Sequence, residues 1–265
     1  MNPAALRGSR VFDLEHVRSP QNHLHPAHVP PGYGYLLHRR HEPNQPERRT
    51  SASGILVTSE HAGTHIDALC HQAEDLKLFG DRPIDLSVQT PFGFTSHAVE
   101  SIAPIVTRGV LIDVARHLGV DRVPPRTWID LDVVQAAASA QKVTFGKGEV
   151  VLVRTGNGTV WEDWHSDYLY GAGMAPEVSE WLAAAGVLAV GADNMAWDLV
   201  GETHPRFDSS LPGHVILLVR NGIHILENLA LEELGAAGVH EFGFVCLPLK
   251  IRGGTGSPVR PIAIA

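Results

Sequence analysis

The chain has 265 residues, 44% of them hydrophobic, which is enough to bury a substantial core and predicts one domain spanning residues 1–265. Its 21 basic and 29 acidic residues leave a formal charge of −8, which excludes a basic face for nucleic acid, and no run of 18 apolar residues offers a membrane span. Two cysteines make no disulfide framework, and the opening Met-Asn-Pro-Ala-Ala-Leu-Arg lacks the apolar core of a signal peptide, so a soluble, cytoplasmic protein is expected.

In chain order, a first strand is expected near Val11 to Leu14. Residues 16–52 are rich in His, Pro, Arg and Asn with little periodicity, which predicts a long irregular segment. A loop of that length commonly serves a site or an interface. His23, His25, His28, Tyr33, Tyr35 and His38 are therefore read either as the rim of a substrate mouth or as a solvated loop.

The run His61-Ala62-Gly63-Thr64-His65-Ile66-Asp67-Ala68-Leu69-Cys70-His71 packs three imidazoles and one carboxylate into a short stretch. Neutral imidazole and ionised carboxylate are first-choice ligands for Zn²⁺ or Mn²⁺, with donor atoms about 2 Å from the ion. Fully extended, the run would span roughly 33 Å, so the chain must bend to gather its ligands. Gly63 can take φ > 0 and fold His61 back toward His65. His65 and Asp67 share a face if this piece is extended. The following Ala-Leu-Cys-His-Gln-Ala-Glu-Asp-Leu has helical character, which would make Asp67 and His71 i,i+4 neighbours. A lone histidine among the 16 in the chain is more often a hydrogen-bonded core residue than a ligand; three so closely spaced around an aspartate seldom arise by chance. Cys70 is read as small apolar packing rather than as a nucleophile.

Strand and helix signals then alternate. Residues 109–114 read as a buried strand, 130–141 as a helix and 148–154 as another strand. Pro176 ahead of Glu177-Val-Ser-Glu-Trp-Leu-Ala-Ala-Ala, with Gly186 beyond, has proline in front and glycine past the end, as a helix prefers. Val187-Leu-Ala-Val runs on into Gly191-Ala-Asp193-Asn194-Met, and the alternation predicts an α/β fold. Asn194 and Trp197 follow that strand, where active-site loops begin; the tryptophan ring is suited to a flat substrate or to the core. The glycine-rich stretch from Arg252 to Arg260 lacks the ending of a phosphate loop and reads as a turn before the last strand.

The pattern His61-x-Gly63-Thr64-His65-x-Asp67-x3-His71 resembles the signature of the bacterial kynurenine formamidase and isatin hydrolase family, the cyclase family, with Leu69 where proline is usual. A second match is His214-Val-Ile-Leu-Leu-Val-Arg-Asn-Gly-Ile-His-Ile-Leu-Glu227-Asn-Leu. Taken alone, His214 after Pro212-Gly213 could open a helix and Glu227 could be a strand-end charge. The resemblance implies that His61, His65, Asp67, His214 and Glu227 hold one or two divalent ions, Zn²⁺ or Mn²⁺, and that His71 is the catalytic acid/base. It implies a swivelling β/β/α fold with a mixed central sheet or barrel-like core, and a homodimer or homotetramer. The activity implied is metal-dependent hydrolysis of a small carboxamide, formamide or cyclic amide. A cyclase or lactonase reaction and a metal-stabilised binding domain are the alternatives. Tyr35, His38, Asn194 and Trp197 are the expected substrate-binding residues.

Overall fold

A computed structural model describes residues 8–207 and 209–265. Short strands come first: β1 (Val11–Asp13), β2 (Tyr33–Arg39), β3 (Ser53–Thr58) and β4 (His65–Asp67). Strands with buried apolar centres, such as Val110-Leu111-Ile112 and Val150-Val151-Leu152-Val153, then form β5 (Ile105–Asp113), β6 (Val150–Arg154), β7 (Ala189–Ala192) and β8 (His224–Glu227). The chain closes with β9 (Glu241–Cys246), β10 (Gly256–Pro258) and β11 (Ile262–Ile264).

All of these except β2 and β3 join a 9-stranded sheet in the order β1-β11-β9-β5-β6-β7-β8-β4-β10. β5, β6, β7 and β8 run parallel, and the flanking pairings are antiparallel. The fold is therefore α/β, as the alternating signals predict, with the mixed central sheet that the family resemblance implies. Side-chain alternation divides the core in two. Val110, Ile112, Val151, Val153, Val190 and Ile225 face α2 (Leu131–Ala140), which follows the short α1 (Val114–Leu118), and α3 (Pro176–Ala184). Leu111, Leu152, Leu226 and Phe244 face the other way, onto Phe12, Leu14, Leu231 and Leu234. Between β7 and β8, α4 (Pro212–His214) runs directly into a π-helix, Val215–Arg220, whose Leu217 and Leu218 fill the first core.

Two local expectations need correction. Residues 16–52 are not irregular throughout, because β2 pairs antiparallel with β3. This hairpin escapes pattern reading because both of its faces are open: Tyr35, Leu36, Ile55, Leu56 and Val57 are all exposed, so no alternation marks a buried side. The helix expected after Asp67 is also missing. There the Ala68 and Cys70 amides donate to Thr255 and His97 carbonyls, so remote loops take the bonds that a helix would use internally. A single turn remains, with the His71 amide donating to the Ala68 carbonyl at 2.9 Å.

Candidate functional site

The strand register builds the centre. Gly63 has φ +64°, the left-handed conformation that brings His61 back over β4. In β4, Ile66 points into the core while His65 and Asp67 share the opposite face, both buried. The antiparallel β8 sets Glu227 directly opposite His65, and β10 sets Gly256 opposite Asp67. His214 arrives at the end of α4, itself buried.

These side chains converge. His61 Nδ1 lies 2.9 Å from Asp67 Oδ1, and His65 Nε2 lies 3.6 Å from the same oxygen. His214 Nε2 is 3.6 Å from Asp67 Oδ2. His65 Nε2 and His214 Nε2 are each 3.3 Å from a different oxygen of Glu227. The donor atoms of His61, His65 and Asp67 all lie within 4.8 Å of one another, as do those of Asp67, His71 and His214. Asp67 thus belongs to both groups, one oxygen turned toward each. The five residues expected as ligands meet in one place, with His71 beside them; its ring centroid is 4.1 Å from that of His61.

The chemistry of this cluster fits a divalent cation. His61 Nδ1, both Asp67 oxygens and Glu227 Oε1 are buried without a hydrogen-bond partner. Each such orphan costs about 1–3 kcal/mol, and four at one point call for something that ligates lone pairs. The titration behaviour points the same way. Burial pushes the Asp67 carboxyl up, whereas for Glu227 burial is overcome by the facing His214 and His65 imidazoles, which hold it low. Burial opposes charge on His65 and His214, yet the facing carboxylates raise both. Two buried carboxylates must be balanced either by protons on these imidazoles or by a cation. His61 is pushed well down by burial and by its histidine neighbours, and His71 is lowered to about 3, chiefly by burial, so it is neutral at physiological pH.

A cavity of about 110 Å³ opens over the centre. Ala27, Met195, Ala196 and Leu211 form its apolar wall, and His25, His28 and Gln72 its polar one. The loop before β2 therefore contributes His25 and His28, with His28 stacked on His61 at 4.6 Å. Tyr35, His38, Asn194 and Trp197 do not line this cavity. Tyr35 and His38 lie exposed on the hairpin. Trp197 is fully buried, its Nε1 donating to Ser179 Oγ, and Asn194 Nδ2 donates to the Ala172 and Trp197 carbonyls; both serve packing. The neighbouring Asp198, which sequence reading passed over, accepts from His214 Nδ1 at 2.7 Å and from the Gly213 amide at 2.6 Å, so it holds α4 and the His214 ring together.

Fold and site together define an α/β protein with a buried histidine–carboxylate centre beside the ends of its parallel strands, where ligands gather in open sheets of this kind. Residues 12–199 match the family model described as "Putative cyclase", and the chain belongs to this cyclase family. A kynurenine formamidase of Paracidovorax citrulli (strain AAC00-1) is 30% identical over 210 residues, 78% of this chain and 77% of that protein. Among solved structures, the fold matches one described as a novel cyclase with a TM-score of 0.85 and 25% identity, covering 98% of this chain and 88% of that one. It also matches an isatin hydrolase bound to the product analogue thioisatinate, with a TM-score of 0.75 and 22% identity over 100% of this chain and 99% of that one.

Proposed function

We propose that this protein is a metal-dependent hydrolase of a small carboxamide, formamide or cyclic amide, with an aryl substrate favoured. The convergence of His61, His65 and His214 nitrogens on the unpartnered oxygens of Asp67 and Glu227 carries this reading. These five residues would hold the cation, Zn²⁺ or Mn²⁺, as one ion or as two sharing Asp67. Bound there, a divalent cation supplies Lewis acidity, polarising a carbonyl and lowering the pKa of water toward about 7.

The chain's own groups do the rest. His71 presents a neutral imidazole at the cavity wall, so it can accept a proton from the attacking water and return it to the leaving nitrogen. Met195, Ala196 and Leu211 give a flat apolar group somewhere to rest while His25, His28 and Gln72 offer polar contacts. The kinship with a kynurenine formamidase and the fold shared with an isatin hydrolase support N-formyl arylamines and isatin-like cyclic amides as the first compounds to assay. The same reading takes the protein as a homodimer or homotetramer, supported by the uncovered hairpin.

The test is His71→Ala, assayed against linear and cyclic amides and lactones with the metal content measured in parallel. The variant is expected to keep its ion and lose about 100- to 10,000-fold in turnover. Undiminished turnover removes His71 from the mechanism. Turnover of lactones alone moves the reading to a lactonase, and a wild-type protein that binds metal but turns over nothing favours a binding domain.

A further inference from the structure

The glycine-rich stretch near the C-terminus, which pairs with β4 through β10, also brings the Thr255 side chain to the site. Thr255 Oγ1 donates to Glu60 Oε2 at 2.7 Å, and the Thr255 amide donates to the same oxygen at 2.8 Å. An ionised carboxylate only accepts, so the hydroxyl proton is committed to Glu60. What Oγ1 has left is lone pairs, and it lies 2.9 Å from His61 Nε2. That nitrogen must therefore carry the ring proton and donate it. His61 Nδ1 is then a bare lone pair, and it is this atom that faces Asp67 Oδ1 at 2.9 Å.

The two flanking glycines make the arrangement possible. A Cβ at position 254 would come within 2.5 Å of Glu60 Oε1, and one at position 256 within 2.6 Å of His61 Cε1. The Gly254-Thr255-Gly256 sequence thus seats a single hydroxyl between a glutamate and an imidazole that any bulkier neighbours would push apart.

We infer that Thr255 and Glu60 are positioning residues that fix the proton of His61 on Nε2 and so keep Nδ1 available as a ligand atom. Outer partners of this kind orient ligating histidines, and their loss weakens metal binding by about 10- to 100-fold. The inference rests on the proposed metal centre for its effect on affinity, but the location of the proton can be read without any metal.

The experiment uses the full chain as wild type and as Thr255→Val, Thr255→Ser and Glu60→Ala, with circular dichroism to verify folding. Nitrogen-15 shifts of the His61 ring are recorded on metal-free protein at about pH 8.5, above the ordinary imidazole pKa of about 6.5. Zinc affinity is measured by competition with a chelator. In wild type and Thr255→Ser the proton is expected on Nε2, with affinities within about threefold of each other. Thr255→Val is expected to show mixed tautomers and about 10- to 100-fold weaker zinc binding. In Glu60→Ala the acceptor is gone, so the Thr255 hydroxyl can donate to Nε2 and mixed tautomers are expected. A ring that keeps its proton on Nε2 in both Thr255→Val and Glu60→Ala overturns the inference, as does Thr255→Ser behaving like Thr255→Val. Wild-type protein that binds no zinc defeats the proposed function instead, while the ring shifts still judge the proton's location.

Discussion

His61, His65 and Asp67 were legible at the level of single residues because their spacing has a local geometric meaning that the left-handed Gly63 and the extended β4 bear out, whereas His71 reaches the cluster by a single turn and not by the helix its spacing suggests. Asp198, Glu60 and Thr255 were not legible. Glu60 and Thr255 are 195 positions apart, and nothing in the local pattern of either announces the other. Cys70 shows a related limit, since it stands beside His71 in sequence yet turns away from the centre, its Sγ lying 3.6 Å from the Gly254 carbonyl. Burial raises its thiol to about 12, so almost no thiolate exists near neutral pH. Alkylation of Cys70 in folded protein at pH 8 is expected to be far slower than that of a free thiol, and Cys70→Ala is expected to leave turnover within about threefold of wild type. Rapid modification accompanied by loss of activity would return the sulfur to the reaction.

Elements with a strong period were the most readable. The strands expected at 109–114 and 148–154 appear as β5 and β6, and the helices expected at 130–141 and after Pro176 appear as α2 and α3. The π-helix after His214 has no sequence signature of its own. The pairing of β4 with β8 also lay beyond pattern reading, since register follows from the packing of the whole sheet. That pairing places Leu226 opposite Ile66 in the core and Glu227 opposite His65 in the site, so packing and ligand geometry share one register. Leu226 is fully buried, and Leu226→Ala is expected to cost about 2–5 kcal/mol, read as a lower urea midpoint. An unchanged midpoint would mean that this side chain contributes little to the closure of β4 on β8.

Across the whole molecule, charge and apolar surface are unevenly shared. The chain's formal charge is −8, yet the hairpin and its tip carry Arg39, Arg40, Arg48 and Arg49 against Glu42 and Glu47. A basic arm with uncovered Leu36 and Leu56 on an acidic protein suits an acidic body as partner, and a second copy of the chain provides one. Light scattering at micromolar concentration is expected to give at least a dimer, and Leu36→Glu with Leu56→Glu is expected to reduce that mass. A monomeric wild type would remove the oligomer from the reading. Among the described residues no helix is long and apolar enough to cross a membrane. The position of β4 between β8 and β10 bears on how the protein comes into being. His61, His65 and Asp67 leave the ribosome long before His214 and Glu227 do, so a nascent chain would hold only three of the five proposed ligands. Under the proposed function, loading would follow the closure of β4 against β8, and the metal content of a preparation would report how many molecules have completed it.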